Sequence, residues 1–136
     1  MIRNGHLSTR MTKSPRLLRP ALAVAFACAT AWAGPTPAPV RTEIDGLLSR
    51  LEASGCQFQR NGSWYSGADA KKHLLRKLEA VEARGTLQNT EQFIALAASR
   101  SSFSGKPYFV RCSGTPAVES GEWLTGQLAS LRGTAR

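Results

Sequence analysis

Reactive side chains are thinly supplied in this chain. Its 136 residues include 3 cysteines and 2 histidines, and His6 and Cys28 both fall in a segment that reads as removable. No C-x-x-C pair is present, which argues against a disulfide oxidoreductase. No G-x-S-x-G elbow or S-x-x-K sequence supports a hydrolase. One remaining histidine and two cysteines able to pair with each other do not make a zinc site, and no acidic cluster has calcium-loop spacing. Neither a metal nor a cofactor is expected. Acids are also scarce, 9 against 18 lysines and arginines. No apolar run reaches the roughly 20 residues that cross a bilayer as a helix, so no stable membrane span is expected.

The start of the chain explains much of the charge imbalance. Arg10, Lys13, Arg16 and Arg19 precede an Ala-rich apolar stretch from Ala21, and Ala31-Trp32-Ala33 precedes Gly34. Basic start, short apolar middle and small-x-small end are the marks of a signal peptide, here residues 1–33, with cleavage near Ala33-Gly34. Translation could start at Met1 or Met11 without changing the mature product. Ala25-Phe26-Ala27-Cys28 raises lipidation at Cys28 as a minor alternative, weakened because Ala25 stands where Leu or Val is usual. Five of the 18 basic residues lie before Gly34, leaving 13 against 9 acids and a net of +4. The high whole-chain charge thus mostly describes the leader. No basic stripe interleaved with aromatics follows it, so a nucleic-acid partner is not expected.

Residues 34–41 alternate prolines and read as a stiff tether, and residues 42–133 suffice for one globular domain. Thr42 with Asp45 opens a helix whose Ile44, Leu47, Leu48 and Leu51 share a face, and Ser54-Gly55 stops it. Asn61-Gly62 between two short alternating runs is a tight hairpin signal, placing Phe58 opposite Tyr65, on the face of Cys56, and Trp64 on the other. Ser66 and Asp69 open a second helix with Leu74, Leu78 and Val81 inward and Lys71, Lys72, Arg76 and Lys77 toward water. A third, short helix starts near Asn89, with Phe93 and Ile94 inward, and Ser99 to Pro107 is a polar loop. Tyr108 to Cys112 is a strand with Tyr108, Val110 and Cys112 inward, and Ser120 caps a last helix carrying Trp123, Leu124 and Leu128. The expected fold is α+β, four helices on a three-stranded antiparallel sheet of undetermined order.

After export, Cys56 and Cys112 have one intramolecular pairing open to them, in a compartment that favours it. The bridge would close a 56-residue loop and contribute about 4 kcal/mol in the chain-entropy account.

Cys56-Gln-Phe-Gln-Arg-Asn-Gly62 with Tyr65, His73-Leu74 with Lys77, Thr90-Glu-Gln-Phe-Ile94, Ser101-Ser-Phe-Ser-Gly-Lys-Pro-Tyr108 and Trp123-Leu124 follow one another in order. Together they resemble an uncharacterised family of small secreted bacterial proteins, over about Glu43 to Arg132. The resemblance implies a periplasmic single domain and supplies no activity.

Few residues invite a functional reading. His73 with Lys77 one turn on could act as a base or hold an anion, though a structural histidine is the commoner case. Ser101, Ser102 and Ser104 could supply a nucleophile beside His73 or hydrogen bonds to an anion, though serines in such loops ordinarily cap backbone groups. Arg60 at the hairpin tip is unexplained by the turn, and Trp64 could dock a sugar or a partner or be covered by a helix. The leading expectation is a non-enzymatic periplasmic module binding a ligand or an envelope protein. The alternatives are a small hydrolase or transferase using His73 with one of those serines, or a structural accessory for which no positive feature is found.

Overall fold

A computed structural model describes Gly5, Thr12 and residues 35–134. Apart from Gly5 and Thr12, the segment expected to be a signal peptide, with Met11, Cys28 and the expected cleavage point, lies outside the described residues. Helix α1 spans Ala38–Ala53 and buries Ile44, Leu47, Leu48 and Leu51. It starts earlier than the sequence pattern suggests. Pro39 lies in the first turn, where its missing N–H leaves no bond unmade, so half of the expected tether is helical. Thr42, expected as the cap, instead donates its hydroxyl to the Ala38 carbonyl (3.0 Å). Thr36 is buried and hydrogen-bonds the Glu82 carboxylate, fastening the segment ahead of α1 to the second helix.

Strands β1 (Gln57–Arg60) and β2 (Ser63–Tyr65) form the expected hairpin, with Phe58 opposite Tyr65. Asn61 and Gly62 both have positive φ, 48° and 83°, as a two-residue primed turn requires. Helix α2 (Gly67–Glu82) is opened as expected: Ser66 Oγ accepts from the Asp69 amide (3.1 Å) and donates to the Asp69 carboxylate (2.9 Å). Gly67 is fixed by packing. A Cβ there would sit 2.5 Å from the Leu51 carbonyl oxygen, so the start of α2 presses directly on the end of α1.

Helix α3 (Thr90–Phe93), capped by Asn89, passes into a π-helical turn over Ile94–Ala98. Strand β3 (Phe109–Arg111) pairs antiparallel with β1, and β4 (Val118–Glu119) pairs with β3, before helix α4 (Ser120–Thr134). The sheet therefore has four strands in the order β2-β1-β3-β4, correcting the three expected. The fourth was invisible because two exposed residues carry no alternation to read. Ser120 is also not the cap expected of it; its buried hydroxyl donates to the Ala98 carbonyl (2.8 Å), pinning α4 to the π turn.

The core lies between the helices and the inner sheet face, where Cys56, Phe58, Tyr108 and Val110 meet Leu47, Leu48, Leu74, Leu78, Phe93 and Leu124. Tyr65 and Val81, expected there, are half-buried at its margin. Cys56 and Cys112 are joined, Cα to Cα 4.2 Å, one step beyond the Gln57–Arg111 pair of β1 and β3.

Candidate functional site

Inner-face alternation on β1 places Arg60 in line with Phe58, at the end of the strand where the apolar core gives way to solvent. His73 and Lys77, one turn apart on α2, share a helix face, and Tyr108 enters from just before β3. These four form one chain of contacts. Arg60 Nη1 donates to His73 Nδ1 (2.7 Å), His73 Nε2 lies 3.1 Å from Tyr108 Oη, and Lys77 Nζ donates to Tyr108 Oη (3.3 Å) and to the Arg100 carbonyl (2.6 Å). Arg60 also donates to Tyr65 Oη (3.5 Å) with its guanidinium 5.0 Å from that ring, which draws the Tyr65 phenol below its ordinary pKa.

The direction of these bonds is determined. A guanidinium only donates, so Nδ1 of His73 is the acceptor and the ring proton is on Nε2, directed at Tyr108. Burial first, then the charges of Arg60, Lys77 and Arg76, push the His73 pKa down to about 4. Burial lowers Lys77 as well and raises Tyr108. His73 is thus a neutral ring whose single lone pair is covered by a cation. Such a ring is poorly set to take a proton from a serine.

Two clefts open on this cluster and share His73 and Arg76. The smaller, about 270 Å³, is lined by Arg60, Tyr65, Asp69 and Lys72. The larger, about 580 Å³, runs along α2 past Lys77 and Val81 to Leu87 and Leu96. Arg41, Lys71 and Arg132 are paired with carboxylates, whereas among the described residues Arg60, Lys72, Arg76 and Lys77 form no ion pair, nor do Arg50, Arg84, Arg100, Lys106 and Arg111. No group of three or more His, Cys, Asp or Glu able to hold a metal occurs among the described residues.

The other sequence candidates fall outside this cluster or at its rim. Ser101 is buried, its Oγ accepting from the amides of Phe103 (3.3 Å) and Ser104 (3.2 Å). Ser104 donates to Asn61 Oδ1 (2.8 Å), tying the loop to the hairpin tip. Both hydroxyls hold the loop's shape. Ser102 lines the larger cleft beside His73. Trp64 lies on the outer sheet face, covered by the Arg111 guanidinium at 4.0 Å and not by a helix. Lys77, expected to face water, is half-buried. Arg76 and the Tyr108 hydroxyl were missed; the i, i+3, i+4 spacing of 73, 76 and 77 was the available signal for Arg76.

Fold and site together define a small α+β domain stapled by one disulfide, with a basic cleft poor in acids. The chain belongs to the family of unknown function DUF5329, whose sequence profile matches residues 38–132. It is 36% identical over 79 residues to "Uncharacterized protein YfeK" of Salmonella typhimurium (strain LT2), a match covering 57% of this chain and 63% of that protein. No solved structure matches it. Among the described residues no helix is long and apolar enough to cross a membrane.

Proposed function

We propose that this is an exported, periplasmic, non-enzymatic module that binds an anion at the Arg60–His73–Arg76–Lys77 cluster. The observation that carries the reading is an excess of donors. Arg60, Lys72, Arg76 and Lys77 line two adjoining clefts and form no ion pair, Asp69 is the one carboxylate among the residues that line them, and His73 has no free lone pair. A cluster rich in hydrogen-bond donors that carries several positive charges is complementary to an acceptor of negative charge. Export is supported by the leader pattern at residues 1–33 and by the Cys56–Cys112 bridge, which persists in an oxidising compartment. The orientation of His73, with Nδ1 accepting from Arg60 and Nε2–H directed at Tyr108 Oη, disfavours the serine-dependent hydrolase reading.

Titration of the purified protein with acetate and with inorganic phosphate, followed through the imidazole resonances of His73, tests this. A saturable shift of the ring signals, weakened at least tenfold in both Arg60→Gln and Arg76→Gln, is expected. No saturation with either anion up to about 100 mM, or equal saturation in both variants, refutes it.

A further inference from the structure

We infer that the anion is the head of a single-chain amphiphile, a fatty carboxylate being the simplest example, and that its tail lies in the larger cleft. The inference rests on the anion reading above and adds the nature of the rest of the ligand. The larger cleft begins at the neutral ring of His73 with the cations Arg76 and Lys77, and continues over Ala80, Val81 and Leu87 to Leu96, with Arg84 a further cation along this wall. None of its lining residues is Asp or Glu. It thus combines positive charge, at Arg76 and Lys77 and again at Arg84, with the apolar wall of Ala80, Val81, Leu87 and Leu96, complementary to an anionic head that carries an apolar tail.

Leu96 supports the assignment. It lies in the π turn, is 57% exposed, and belongs to the cleft wall, so an occupant would cover apolar surface that now meets water. Volume and length select one chain over two. About 580 Å³ is within the range that encloses one small ligand. From His73 to the last turn of α2 the helix advances roughly 12 to 15 Å at about 1.5 Å per residue, near the reach of a ten- to twelve-carbon chain.

Calorimetric titration of the disulfide-bonded protein at pH 7 with acetate, octanoate, decanoate, dodecanoate and neutral octanol tests the inference. Affinity should rise about two- to fourfold per added methylene as tail surface leaves water, and octanol should bind at least tenfold more weakly than octanoate. Leu96→Asn, at an exposed position, should flatten the chain-length dependence while leaving the acetate-induced shift of His73 unchanged. Affinity independent of chain length with acetate still bound overturns this inference and leaves the anion reading intact. Octanol binding as tightly as octanoate, or the absence of all binding, overturns both.

Discussion

At the scale of single residues, the environment of His73 has a consequence for pH. Its folded pKa is held at about 4 against the 6.5 of an ordinary histidine. Between those values the unfolded chain takes up a proton that the folded ring refuses, so the unfolded state is favoured as pH falls. The sign is therefore a loss of stability from about pH 6.5 down to pH 4, with no contribution from this ring to the slope above that window. His73→Gln should flatten that part of a stability–pH profile measured by urea denaturation, and the ring's own titration should centre well below pH 6. A midpoint near 6.5 would remove the description of His73 as a neutral ring covered by Arg60. Glu43 acts lower on the scale. Arg132 and Thr90 hydrogen bonds hold it to about 2, so the stability it gives is present above pH 4.5 and is lost between pH 4.5 and 2. Residues whose role is set by local chemistry, such as Asn61 in its turn and the two cysteines, were legible in the sequence. Arg76 and the Tyr108 hydroxyl were not, because a long or amphipathic side chain takes its direction from tertiary neighbours that no local pattern encodes.

At the scale of elements, the contact between α1 and α2 depends on Gly67 having no side chain. A Cβ would overlap the Leu51 carbonyl, a backbone atom that cannot turn aside, so Gly67→Ala should cost about 1–3 kcal/mol through displacement of the two helices. Gly126 in α4 is the matched control. A Cβ there meets nothing within 4 Å, and alanine should stabilise the helix by about 0.5–1 kcal/mol. Opposite shifts in the denaturation midpoint check the pair; a neutral Gly67→Ala would show that the helices are not in close contact. The long elements were readable because burial on one face imposes a 3.6-residue period over many residues, as in α2. The short ones were not. β4 has two residues, and the π turn at Ile94–Ala98 follows from its hydrogen bonding, including the Ser99 hydroxyl to the Ile94 carbonyl (2.7 Å), not from its apolar composition.

At the scale of the whole molecule, one covalent link joins the hairpin to the far half of the chain. Replacing both cysteines by serine should lower unfolding stability by about 4 kcal/mol, the value for a 56-residue loop. That is a large part of the roughly 5–15 kcal/mol of an ordinary domain. Intact mass with alkylation in the absence of reductant checks the bridge directly: two labels taken up by the native protein would disprove it. The pairing of the cysteines was legible because the expected leader holds the third, Cys28, and leaves two. The sheet order was not, since nothing local to β1 announces that its second neighbour follows two helices.

That order also has a bearing on how the chain matures. β2 reaches β1 across a two-residue turn, but β3 reaches it only after α2, α3 and the π turn have been traversed. Closing so long a loop is a slow event relative to forming a hairpin or a helix. The two thiols come face to face only once that distant strand has docked, so oxidation follows assembly of the sheet and records its completion. On the export proposed above, a new copy would pass through a reduced interval in which it is most open to proteolysis, and the rate of thiol disappearance would time the docking of β3.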